Sequence, residues 1–353
     1  MRAISFPNKK NAFVSPPEGR RNKETGKGHA SYYLSVLAAL TAFASLIAFP
    51  DTAAEGVRQG LRLCGEVIVP SLLPFFVLSG LIAALGLPQR LGRLFERPMR
   101  RVFGVSGALA SPFILGLTGG YPVGAAAVGE LVRQGVVSPS EGERVLPFCN
   151  NTGPAFIIGA AGAGGFTSPK YGLLLYCSHI AAALAVGILF SPRQPEKASG
   201  APPPSAIPKD TNLPVALTGA VKNAVGSVLG VGGFVLFFCV VKALLERAGL
   251  FSSAAGALAA AAGRELRFCR ALLTGLLELG GGIAAMSGLS ASPANLALAS
   301  FLLGFGSLSV HCQTLSVLEG TNMKCARHFA GRALHGVLSA LFTFVSAGVI
   351  GLY

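Results

Sequence analysis

Apolar residues fall in long runs along this chain, separated by short polar punctuation. The first run covers 32–49 and stops at Pro50-Asp51. About 20 apolar residues cross a bilayer core as a helix, so 31–50 is predicted as an N-terminal membrane helix. A cleaved leader is the competing reading, with small residues Thr52-Ala53-Ala54 near a cut, although the preceding polar stretch is long for one. That stretch, 1–30, is basic and without periodicity, and reads as a disordered cytoplasmic tail. The next unit, 56–87, carries Pro70 and Pro74 in its apolar part. Interior prolines cost a soluble helix about 3 kcal/mol each, whereas a membrane bundle can satisfy the freed carbonyls from its neighbours.

Two interruptions between 116 and 165 are unlike surface loops, because apolar sequence resumes at once on both sides. The first is Leu117-Thr118-Gly119-Gly120-Tyr121-Pro122-Val123-Gly124. It divides an apolar stretch into two pieces too short to span, which predicts a re-entrant hairpin. The second, Cys149-Asn150-Asn151-Thr152-Gly153-Pro154, predicts a broken helix. A clean membrane helix follows over 171–190, then a Pro-rich polar linker over 191–214.

The order then repeats. Segments 56–87 and 219–250 align without gaps, Gly86-Leu87 falling on Gly249-Leu250. Gly116-Leu117 and its turn resemble Gly275-Leu276-Leu277-Glu278-Leu279-Gly280-Gly281-Gly282, and 148–153 resembles 301–306. The expected fold is all-α and polytopic, with one repeat over 56–190 and another over 215–353. Each repeat holds an odd number of full crossings, so the two are expected to be inverted.

Charge bears on orientation. Arg90, Arg93, Arg97, Arg100 and Arg101 face only Glu96 in one loop, which places that loop and the N-terminus in the cytoplasm. Inversion puts Arg264, Arg267 and Arg270 on the other side, against the same tendency. The net charge of +14 lies in such clusters between apolar runs, which argues against nucleic-acid binding. Only 12% of residues are charged and 46 are glycine, as close helix packing in lipid favours. The seven cysteines include no C-x-x-C pair, so neither a disulfide framework nor a metal site is expected.

Candidate chemistry sits at the four breaks. Glu278 lies among leucines and glycines, and an ionisable group there is a functional candidate, as proton carrier, cation ligand or anchor of helix ends; an interfacial glutamate reaching water is the alternative. Asn150, Asn151, Thr152 and Gly153 precede a proline suited to a half-helix start, where backbone N–H groups favour an anion; a capped loop at the membrane surface is the alternative. Gly119 and Gly120 permit close approach, while Tyr121 and Pro122 shape the hairpin tip. Ser307, Ser309, His311 and Gln313 occupy the matching second-half break. His179 reads as a packed or interface histidine rather than a ligand. No enzyme motif, nucleotide-binding segment or cofactor fingerprint is present, so the reading is not an enzyme, and any active transport is secondary, with H+ or Na+ as coupling ion.

Leu117–Ala125, Phe148–Gly159 and Phe305–Gln313 resemble the membrane family carrying nucleoside-recognition (Gate) domains, and within it the sporulation integral membrane proteins of the YlbJ type. The resemblance covers about 56–350. It implies a multi-pass transporter in the membrane of a spore former, carrying a small anionic metabolite, dipicolinate for this group, toward the forespore. A nucleoside or nucleobase carrier, and a non-transporting structural protein of a sporulation complex, are the alternatives. Partners would be the substrate, the bilayer and a further copy of the chain.

Overall fold

A computed structural model describes residues 27–191 and 212–350. Most of the basic tail, and nearly all of the Pro-rich linker, lie outside the described residues. No strand occurs among the described residues. The helix α1 (Lys27–Ala48) forms one unit and begins inside the segment expected to be tail. The described residues from Phe49 onward pack as a second unit.

In that second unit the helices follow the apolar runs. The first half comprises α2 (Pro50–Leu63), a π-helical turn (Cys64–Ile68), α3 (Val69–Ala84), α4 (Leu87–Pro98) with a second π turn (Met99–Phe103), α5 (Ala110–Gly119), α6 (Val123–Arg133), α7 (Pro139–Cys149), a π-helical segment (Ala155–Gly165) and α8 (Pro169–Leu189). The second half comprises α9 (Leu213–Arg247), α10 (Leu250–Ala262), α11 (Leu266–Leu277), α12 (Leu279–Ala285), α13 (Pro293–Phe305), α14 (Leu308–Val317) and α15 (Ala326–Ile350). Among the described residues, four segments are long and apolar enough to cross a membrane: Pro169–Leu189, Leu213–Arg247, Pro293–Val317 and Ala326–Val349. The chain is a multi-pass, all-helical membrane protein.

The two halves use the same local devices in the same order. Gly86 and Gly249, both at φ 72°, end the first long helix of each half. Ser138-Pro139 opens α7 and Ser292-Pro293 opens α13, each serine capping a backbone N–H of the first turn, with proline at the position that needs no N–H. Packing across the halves is reciprocal as well. The π-helical segment lies on α12 while α14 lies on α6, α7 lies on α15 while α13 lies on α8, and α2 and α3 both lie on α9.

Both expected hairpins are closed by glycine pairs. In the first, Gly116 faces Gly124, and the Cys149 carbonyl of α7 is seated between them. A Cβ on Gly124 would fall 2.1 Å from that oxygen, so only glycine lets three backbones meet. In the second, a Cβ on Gly282 would fall 2.2 Å from the Gly275 Cα. α12 is thereby folded back tightly on α11.

Candidate functional site

The four breaks converge. Gly120 at the first hairpin tip touches Gly153 in the first broken helix, where an added Cβ would stand 2.9 Å from the Gly153 nitrogen. The Tyr121–Pro122 bond in that tip is cis. A cavity of about 60 Å³ lies among the breaks. Tyr121, Thr152, Gly153, Glu278, Gly280 and Gln313 line it, with apolar side chains from α3 and α9 closing the side. Five of the residues expected at the site (Tyr121, Thr152, Gly153, Glu278 and Gln313) thus share one wall-to-wall space.

Glu278 is 4% exposed and sits between α11 and α12 in extended conformation. One carboxylate oxygen accepts from the Gly280 N–H at 2.8 Å and the other from the Gly281 N–H. The side chain caps α12, whose N-terminus carries partial positive charge, and that charge compensates the carboxylate. Glu278 is thus the N-cap of α12.

Asn150 and Asn151 are fully buried and are not among the residues that line this cavity. The Asn150 side-chain amide donates to the Thr314 hydroxyl at 2.8 Å, joining the first broken helix to the second. Asn151 donates to the Phe148 carbonyl at 2.7 Å, closing the end of its own helix. Ser307 caps α14 by accepting from Val310 N. Ser309 and Gln313, one turn apart, bond to each other at 3.2 Å. His311 points elsewhere on α14, where its Nδ1 lies 3.3 Å from His328 Nε2.

The residue absent from the sequence-based expectations is Arg332 of α15. It is fully buried, and among the described residues it forms no ion pair. Its Nη2 donates to the Tyr121 hydroxyl and, at 3.4 Å, to the Leu303 carbonyl. Its Nη1 donates to Asn151 Oδ1 at 3.4 Å and to His335 Nδ1 at 2.8 Å. Tyr121 and Thr152 also donate to the Leu303 carbonyl, at 2.9 and 2.8 Å. One guanidinium therefore ties the first hairpin tip, the first broken helix and the end of α13 to α15.

The histidines follow from this. Since arginine can only donate, His335 Nδ1 accepts, and its Nε2 carries the proton that it gives to the His179 carbonyl at 3.1 Å. His179 Nε2 accepts from the Thr152 N–H at 3.3 Å, leaving Nδ1 without a partner. His179 is fully buried, which fits the packed rather than the interfacial alternative for it.

Arg332 and Glu278 are the only Arg, Lys, Asp or Glu side chains that are buried among the described residues. Glu278 has two backbone donors, but every acceptor around Arg332 is neutral. Arg332 thus has no carboxylate paired with it among the described residues, and it adjoins a tyrosine that lines the cavity.

Fold and site together define an integral membrane protein with a small cavity enclosed by broken helices, and the family described as Gate, nucleoside recognition, matches residues 66–193. The chain is 32% identical over 326 residues to the sporulation integral membrane protein YlbJ of Bacillus subtilis (strain 168), a match covering 86% of this chain and 79% of that protein. It belongs to that family. Among solved structures, CNTnw in an inward-facing substrate-bound state superposes with a TM-score of 0.49 at 16% identity, over 91% of this chain and 85% of that one. A doubly substituted CNTnw in an outward-facing state superposes at 0.43, with 18% identity over 92% and 86%.

Proposed function

We propose that this protein is a secondary permease carrying a small anionic metabolite through the space between its four breaks, with dipicolinate as the substrate during sporulation. The observation that carries the anionic assignment is Arg332, a buried cation surrounded by neutral acceptors. A buried charge without a counter-charge is costly, and an anion arriving near Tyr121 and Thr152 offsets that cost. The family's place in sporulation supports dipicolinate, a compact dianion, as the candidate.

The cavity of about 60 Å³ is much smaller than the roughly 300–1,000 Å³ of ordinary small-molecule sites. This is the size of a closed state, and admitting substrate requires the hairpin tips to separate from the broken helices. The reciprocal packing of the halves supports inverted repeats, each hairpin opening against the opposite broken helix. In this arrangement the N-terminus is cytoplasmic and Glu278, holding α12, sets how far the second tip can move. Its protonation or Na+ binding beside it would couple transport to an ion gradient.

Glu278 also favours one second reading. A carboxylate in the cavity wall can accept from the hydroxyls of a neutral ligand, and the Gate description names nucleoside recognition. Competition in proteoliposomes separates the two: labelled dipicolinate enters and excess nucleoside does not compete. Nucleoside uptake that dipicolinate leaves unaffected would overturn the anion assignment.

A further inference from the structure

A second cavity, of about 480 Å³, lies between α9, α10, α11 and α14, away from the polar breaks. Leu245, Phe251, Leu276, Leu277 and Leu308 are among its walls, and every lining residue except His311 is apolar. Its volume falls within the range of a real ligand site. Leu250 and Leu308 line it while remaining 60% and 48% exposed, so the cavity opens on the protein's outer surface. For helices that lie in a membrane, that surface meets lipid hydrocarbon, not water.

One further feature points to the occupant. The wall residue Phe251 is flanked by two cations, with Lys242 Nζ 5.9 Å and Arg270 Cζ 5.7 Å from its ring centroid. Arg270 is paired with Glu246, and Lys242 forms no ion pair among the described residues. Lys242, in no ion pair, thus puts an ammonium beside an apolar cavity.

We infer that this cavity holds an acyl chain of an anionic phospholipid, with the headgroup phosphate beside Lys242. The apolar walls take the chain, and the ammonium selects the charged headgroup. The site adjoins both second-half breaks. Leu276 and Leu277 run directly into Glu278, and α14 carries His311 on this side and Gln313 on the central cavity. A bound lipid would therefore brace α11 and α14 where the second hairpin and broken helix must move.

Native mass spectrometry of the full chain, purified in detergent and given phosphatidylglycerol or phosphatidylcholine with the same acyl chains, tests this. Wild type retains one lipid and favours phosphatidylglycerol by about fivefold, the equivalent of about 1 kcal/mol for one cation at the headgroup level. Lys242→Gln retains a lipid but loses the preference. Ala254→Phe, at an exposed wall position, plugs the cavity and loses the lipid while keeping the wild-type melting temperature in lipid-free detergent. Equal retention of both lipids by wild type, an unchanged preference in Lys242→Gln, or a dimer mass with no lipid bound would overturn the assignment. None of these results depends on what the central cavity carries.

Discussion

Glu278 and Arg332 carry opposite charges and opposite kinds of satisfaction. The glutamate has two backbone donors of α12; the arginine has a phenol, a carbonyl, an amide and an imidazole. Glu278→Gln leaves one acceptor oxygen for two N–H groups, so one amide loses its partner. Loss of a helix cap costs about 0.5–2 kcal/mol, and the variant should unfold that much more readily in a denaturant titration in detergent. Unchanged stability would mean that the cap does not hold α12. Glu278 was legible in the sequence because glycines and leucines isolate it. Arg332 obeys the same rule, being the last charged residue before a long apolar run. It was hidden by Arg327 and His328 just before it, which give that helix start the look of a membrane interface. Its depth is set by packing against α7 and α13, which no local pattern displays. Asn150 and Asn151 show the reverse case: the pattern located them at the break, but only the fold shows their amides bonding to helix frame.

At the scale of elements, the breaks exist because three backbones must pass at one point. Gly116 and Gly124 admit the Cys149 carbonyl, and that contact docks the hairpin of α5 and α6 onto α7. Gly124→Ala puts a methyl into that oxygen, and the hairpin must lift. We expect a loss of several kcal/mol, of the size seen when cores are overpacked or the backbone is strained, or failure to recover monodisperse protein. Gly226→Ala in α9 is the control, since a Cβ there meets nothing within 4 Å, and alanine is favoured over glycine in a helix by about 1 kcal/mol. Equal behaviour of the two variants on size exclusion and melting would contradict the three-backbone contact. The hairpins and broken helices were readable from short apolar pieces around glycine and proline. The π-helical segment was not, because π and α hydrogen bonding share one apolar pattern, and its Gly-rich composition favours neither.

Across the whole molecule, the matching order of devices in the two halves gives the membrane arrangement its test. Arg97 lies at the end of α4 in the first half, and Arg267 begins α11 in the second; both are exposed. Cysteines introduced at these positions should label from opposite sides of sealed vesicles, and same-side labelling would reject inversion. The charge pattern alone was divided on this point, since Arg264, Arg267 and Arg270 oppose the tendency that Arg93, Arg97, Arg100 and Arg101 obey. Reciprocal packing, of α7 on α15 and α13 on α8, is information that only the folded chain contains.

The central claim is that an anion fills the space among the breaks and answers the charge of Arg332. The most direct test is the melting temperature of detergent-purified protein against rising dipicolinate, in parallel for wild type and Arg332→Gln. Ligand at 100 times its dissociation constant stabilises by about 2.7 kcal/mol, so the wild-type melting temperature should climb steadily with concentration. The variant should melt at a temperature that dipicolinate does not move. An equal rise in both proteins, or a rise with nucleosides and none with dipicolinate, would contradict the account.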